Sequence, residues 1–230
     1  RTVLPLLAEE EFGLTAFSST LTFIAAFGIV KAGTNFFAGT LSDRFGRKPV
    51  LIAGWLIGIP VPLLLMWAPT WGWVIFANVL LGVNQGLTWS TTIIMKIDLV
   101  GPAKRGLAVG FKEAAGYIAV ALTALATGFI AEEYGLRPEP FYLGLAFAAL
   151  GLGISTLFVR ETHGHAVHEA ASHISSAGHL HGELTTGKIF MLTSFREKAL
   201  SSASQAGLVN NLNDGLAWGL LPLYFAAAGL

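Results

Sequence analysis

Between Gly39 and Lys48 the chain reads Gly39, Asp43, Arg44, Gly46, Arg47 and Lys48 in close order, one acid and three cations punctuated by glycines. The chemistry open to such a group is ionic. A carboxylate such as Asp43 can meet a helix N-terminus, whose unpaired amides carry roughly half a positive charge. The cations have two readings. In one, Arg44, Arg47 and Lys48 are solvated charges that hold a short turn on one side of a membrane. In the other they form a charge relay, with Arg47 pairing Asp98, an acid placed so near an apolar segment that it calls for a partner.

A second group of polar residues sits inside long apolar runs, where a charge is expensive and marks a functional candidate. Lys31, Lys112 and Glu113 are of this kind. Lys31 is expected ~10 Å from the end of its segment at 1.5 Å per residue. A Lys31–Glu113 pair would act as a protonatable switch; the plainer reading is that the lysines extend to the headgroups. Asn78, Gln85, Trp89 and Lys96 recur at seven-, four- and seven-residue steps, which places them on one helical face. Asn210, Asp214 and Trp218 do the same at four-residue steps, with Asn211 and Asn213 beside them. An amide, a carboxylate and an indole on a buried face suit a polar organic substrate; alternatively they fasten helices together at ~0.6 kcal/mol per hydrogen bond. His163, His165, His168, His173, His179 and His181 crowd one polar stretch. Imidazoles could bind a divalent metal, but no ligand spacing fixes a preformed site, and a disordered, pH-sensitive linker is expected. Cysteine is absent and no nucleophile stands in an activating arrangement, so no enzymatic activity, cofactor or resident metal is expected.

The elements that position these residues follow from the charge pattern. Only 12% of the 230 residues are charged and 53% are apolar, against about 25% charge in soluble domains. No Asp, Glu, Lys or Arg occurs between Lys48 and Lys96, between Glu113 and Glu132, or between Glu139 and Arg160. Each gap approaches or exceeds the ~20 residues that cross a bilayer. The pattern predicts an all-α polytopic membrane protein with spans at 14–38, 50–69, 71–94, 108–130, 141–159 and 199–223. Pro69 and Thr70 predict a tight hairpin between interfacial tryptophans, and Gly101-Pro102 and the stretch 135–140 predict loops. Ten of the 14 Lys and Arg residues fall on one side of this topology, which the positive-inside rule makes cytoplasmic. Three domains follow: a transmembrane bundle at 1–160, a cytoplasmic His-rich linker with an interfacial helix at 161–198, and a further span at 199–230. Net charge is zero, which speaks against nucleic acid as a partner.

The run from Gly39 to Lys48 resembles the loop signature G-x-L-x-D-R-x-G-R-K between helices two and three of the major facilitator superfamily, at every defining position. Gly101 to Gly106 resembles the related turn between helices four and five. Leu4-Pro5-Leu6 recurs as Leu221-Pro222-Leu223, as expected of parallel repeats. The resemblance implies a partial transporter fold: an N-terminal six-helix bundle lacking most of helix one, plus the first helix of the second bundle. It implies that Asp43 faces helix eleven, that Gly39 permits close backbone approach, and that helices four and seven line a central cavity. Two family patterns are incomplete: Gly82 stands where an Arg often precedes Gln85-Gly86, and the stretch 110–128 lacks the proline of a helix-five motif. The expected function is secondary active transport of a small solute by alternating access, coupled to protons, by a monomer in a bacterial inner membrane. A His-loop metal exporter and a non-transporting membrane sensor or assembly protein are the alternatives.

Overall fold

The computed structural model describes residues 3–14, 20–176 and 185–228, and every regular element among them is helical. They are α1 (Leu4–Glu10), α2 (Thr22–Phe45), α3 (Arg47–Gly58), α4 (Pro60–Met66), α5 (Trp71–Leu99), α6 (Arg105–Tyr134), α7 (Glu139–Leu157), α8 (His163–Ser176), α9 (Thr186–Met191) and α10 (Lys198–Ala227). The chain divides into two compact units, Arg1–His168 and Glu169–Leu230. The division falls at the sixth residue of α8, inside the stretch expected to be a linker.

Among the described residues, four segments are long and apolar enough to cross a membrane: Thr22–Phe45, Arg47–Met66, Pro102–Tyr134 and Glu139–Leu157. The expected spans at 71–94 and 199–223 also form full-length helices, α5 and α10, but fall outside this set. Their polar residues explain it: Asn78, Asn84, Gln85 and four threonine or serine residues dilute α5, and a run of serines and asparagines dilutes α10. The span placed at 14–38 is shifted. Residues 15–19 lie outside the described set, and the helix continues past Ala38 to Phe45.

That extension changes the loop at Gly39–Lys48. It was expected to be a turn, yet its only non-helical residue is Gly46, at φ 90° and ψ 158°. A left-handed φ is open to glycine without a Cβ clash, so Gly46 alone reverses the chain. Gly39, Asp43 and Arg44 belong to the last turns of α2, and Arg47 and Lys48 open α3. A Cβ on Gly39 would meet nothing within 4 Å among the described residues.

Close approach happens around α5 instead. A Cβ on Gly82 would lie 2.9 Å from the Phe27 carbonyl oxygen, and one on Gly86 2.5 Å from Thr34 Cβ, both on α2. These two glycines, four apart, form the small-residue stripe that lets membrane helices touch through their backbones. They also explain the departure at Gly82, where an arginine side chain would enter the α2 backbone. On its other side α5 meets α3 in the same way: Asn84 Nδ2 donates to the Gly54 carbonyl at 2.8 Å, and a Cβ on Gly54 would lie 2.8 Å from Thr88 Cγ2. Away from Gly46, Val3, Leu4, Leu7, Phe23, Val61, Leu65, Met66, Val74 and Phe141 form the main apolar core. There Trp71 donates to Thr22 Oγ1 at 3.0 Å, and Arg137 bonds the Ala68 carbonyl at 2.8 Å while pairing with Glu11. α6 buries none of its residues, as suits a helix facing lipid or further protein.

The His-rich stretch differs from its expectation of disorder where it is described. His163–Ser176 is helical, started by the Glu161 carboxylate, which accepts the His163 N–H at 3.0 Å, and carried by helix-forming alanines. His179 and His181 lie outside the described residues. In the second unit, Thr186–Met191 runs into a π-helical turn at Leu192–Arg196 that packs on α10, with Ser204 Oγ donating to the Thr193 carbonyl at 3.2 Å.

Gly86→Val is expected to force α2 and α5 apart at a cost of about 1–3 kcal/mol, seen as a lower melting midpoint and loss of a monodisperse peak in detergent. Gly110→Ala, where a Cβ meets nothing within 4 Å, is expected to behave as the parent.

Candidate functional site

Gly46 fixes where Arg47 goes. By ending α2 and starting α3 within one residue, it turns the Arg47 side chain back under α2, where the residue is only 4% exposed. A guanidinium so placed has donors and no acceptor, and each N–H needs a partner. Nε donates to Asp98 Oδ2 at 2.9 Å, and Nη1 reaches Asp43 Oδ1 at 2.8 Å, the Ser42 carbonyl at 3.0 Å and His163 Nδ1 at 2.7 Å. Asp98 is almost as buried as Arg47, its side chain 7% exposed, whereas Asp43 is 68% exposed. Asp98 also accepts from Thr162 Oγ1 at 2.8 Å. The arginine thereby joins the end of α2, the start of α3, the end of α5 and the segment after α7.

Because the guanidinium can only donate, His163 presents its Nδ1 lone pair to Arg47 and carries its proton on Nε2 in this arrangement. Glu161 closes the cluster from below. Its two carboxylate oxygens accept the N–H groups of Arg47 at 2.9 Å and Lys48 at 3.0 Å, and those of Thr162 and His163 at 2.9 and 3.0 Å. One carboxylate thus caps the start of α3 and the start of α8. Burial pushes the Glu161 carboxyl up, but the four backbone donors outweigh it and hold the group below the usual carboxylate range. Lys48 anchors the same corner by donating to the Thr156 carbonyl on α7 at 2.8 Å. Arg44 stays exposed, its guanidinium 5.2 Å from the Phe45 ring centre.

A second cluster lies farther along the helices. Lys112 Nζ sits 3.0 Å from the centre of a Trp89 ring, and Lys31 Nζ stands 5.8 Å from a Trp89 ring and 5.5 Å from that of Phe27. Glu113 pairs with Lys112 at 2.9 Å rather than with Lys31, so the expected Lys31–Glu113 switch is not the pairing formed. Lys31 is also farther from the end of its helix than expected. With α2 extended to Phe45, it stands ~21 Å from that end at 1.5 Å per residue.

The remaining predicted residues are spread out. Asn78 is wholly buried; its Nδ2 donates to the Val74 carbonyl at 2.9 Å and its Oδ1 meets no protein donor among the described residues. Gln85 is half-buried one turn before Trp89 on α5. On α10 of the second unit, Asn210 is exposed while Asp214 and Trp218 are half-buried. Sequence reasoning missed Glu161, Thr162 and the bond from Arg47 to His163. The available signal was an acid following Arg160 just past an apolar span, at the same end as the Gly46 elbow.

A family model for the Major Facilitator Superfamily matches residues 1–230. Among individual proteins, the chain is similar to Multidrug resistance protein 2 of Bacillus subtilis, 30% identical over 139 residues that are 60% of this chain and 34% of that protein. It is similar to Multidrug resistance protein MdtG of Escherichia fergusonii, 32% identical over 164 residues, 69% of this chain and 39% of that protein. It is also similar to the Proton-coupled antiporter flippase LtaA of Staphylococcus epidermidis, 29% identical over 109 residues, 47% of this chain and 25% of that protein. The matched segments therefore cover well under half of each of these relatives.

Glu161→Ala is expected to lower the melting midpoint in detergent at neutral pH. A carboxyl whose folded pKa is depressed stabilises fully above its ordinary value, ~4.3, and loses that contribution as pH falls through the folded pKa. The gap between parent and variant is thus expected to hold from pH 7 to about 5 and to shrink below ~4.

Proposed function

The chain belongs to the major facilitator superfamily, and on that premise we propose that it forms part of a secondary carrier moving a small organic solute by alternating access, driven by protons. The observation that carries this reading is the buried Arg47–Asp98 pair at the Gly46 elbow, with Asp43 and Glu161 on either side. Separating a buried pair strands a charge and costs about 3–5 kcal/mol. A corner held this way is either fully made or fully broken, which is what an alternating carrier needs to keep one side closed while the other opens.

In this reading Asp43, Arg44, Gly46, Arg47, Lys48 and Asp98 form the inner latch, with the basic ends of the helices facing the cytoplasm of a bacterial cell. Asp43 remains largely exposed and available to a helix N-terminus of the second bundle. We assign Lys31, Asn78, Gln85, Trp89 and Glu113 of the first unit to solute and proton handling; Asn210, Asp214 and Trp218, on the polar face of α10, carry the same assignment by their own spacing, and the carrier works as a monomer. The names of the relatives, multidrug resistance proteins and a proton-coupled antiporter, support a solute with apolar character and coupling to protons. A metal exporter built on the histidines is the weaker reading, since His163 is already engaged with Arg47.

In the full-length protein, Asp43→Asn is expected to leave membrane insertion intact and to slow transport in proteoliposomes roughly tenfold, equivalent to about 1.4 kcal/mol on the barrier. Unchanged turnover would refute the latch.

A further inference from the structure

The stretch just before α10 presents an apolar block with cations at both of its margins. Ile189, Met191, Leu192 and Phe195 are 47, 43, 36 and 67% exposed, and neither α9 nor the π-helical turn after it buries any residue. The run Thr186–Arg196 is shorter than the ~12–15 residues that an isolated helix needs in water. Ser204 Oγ ties it to α10 through the Thr193 carbonyl at 3.2 Å. Such a segment calls for a further surface to lie on.

The π-helical turn shapes what it offers. Residues five apart on an α-helix point ~140° away from each other. Phe190 and Phe195 nevertheless meet edge to face, with ring centres 6.0 Å apart. The widening shows in the bond from the Glu197 N–H to the Leu192 carbonyl, five residues back, at 2.9 Å. Thr193 turns its hydroxyl onto the Ile189 and Phe190 carbonyls at 2.9 and 3.2 Å, which satisfies that group within the segment. Lys188 stands before the apolar block, with Arg196 and Lys198 after it. All three are exposed, and none pairs with a carboxylate among the described residues. The neighbouring acid is used elsewhere: Glu197 Oε2 accepts the Leu200 N–H at 2.6 Å and closes the start of α10.

We propose that residues 188–198 dock on the anionic lipids of the inner leaflet. The block is too short to cross a bilayer and apolar enough to enter the boundary between headgroups and acyl chains. A protein laid over it would have to match or desolvate the flanking cations, whereas an anionic leaflet takes the apolar block and the cations together. Phe195 and its neighbours enter the boundary layer, and Lys188, Arg196 and Lys198 hold lipid phosphates. Ser204 lies ~9 Å into α10, so its bond to Thr193 lets docking set the depth at which α10 enters the membrane. The inference rests on the carrier reading only in taking α10 as a span with Lys198 at its cytoplasmic end; no solute or proton enters it.

The test is hydrogen exchange on the full-length protein in nanodiscs, because a surface that covers the segment raises the cost of opening it locally. One set of discs holds phosphatidylcholine alone and the other one quarter phosphatidylglycerol. Amides of residues 187–196 are expected to exchange at least about fivefold more slowly with phosphatidylglycerol present. Lys188→Gln combined with Arg196→Gln should return them to the phosphatidylcholine rate, and high salt should do the same to the parent. Phe195→Ser should speed exchange in the phosphatidylglycerol discs. The middle of α10 should stay protected in both discs and in every variant, which separates loss of docking from unfolding and from any failure of transport. Equal rates for 187–196 in the two discs would overturn the proposal. So would a phosphatidylglycerol effect that survives the double substitution. Fast exchange in the middle of α10 would remove the span, and the proposal with it.

Discussion

A guanidinium removed from water must find acceptors for its donors or be expelled, and Arg47 sits at 4% exposure with acceptors drawn from three separate pieces of chain. Asp98 at the end of α5, Asp43 and the Ser42 carbonyl at the end of α2, and His163 at the start of α8 all meet it. None of those elements could shift by a helical turn and keep the arginine satisfied. Glu161 extends the same constraint to the backbone, because its oxygens close the unpaired N–H groups that open α3 and α8. The corner is held by directional bonds, where the rest of the bundle is held by apolar contact.

That apolar contact is organised around α5. In lipid, helices gain little from burying leucine, since the tails are as apolar as the side chains, and close backbone approach does more. Gly82 and Gly86 on α5 against α2, and Gly54 and Gly58 on α3 against Asn84 and Thr88 of α5, supply that approach. The polar side chains that lower the hydropathy of α5 are largely spent inside these contacts, on backbone carbonyls of the same helix or of α3. Within the first unit, then, a full-length helix whose polar residues dilute its hydropathy is one well enclosed by protein.

The two charged clusters divide the work. At the Gly46 elbow, acids and bases are matched and bonded, which suits a latch. Around Trp89 the ammoniums of Lys31 and Lys112 approach one indole, and Glu113 pairs with Lys112, so this cluster combines cation–π contact with an ion pair. Both clusters are bridged by α5, whose Asp98 serves the first and whose Trp89 serves the second.

The amino-acid sequence determined the helical membrane class, most of the span positions, the family and the basic elbow, because charge gaps of bilayer length and a dense local motif are properties of consecutive residues. It also pointed to Arg47 and Asp98 as partners, since an acid at a span end calls for a base. It misplaced the end of α2, because nothing local marks Gly46 as the sole break when the residues before it are good helix formers. Glu161, His163 and Thr162 were beyond it, since they are more than a hundred residues from Arg47, and only folding brings the end of α7 to the start of α3. Tertiary structure alone decided that Glu113 takes Lys112 rather than Lys31, and that glycines at 82 and 86 bring α5 close to α2. Those outcomes depend on which faces of three helices turn toward one another, a distance in space that no spacing along the chain encodes.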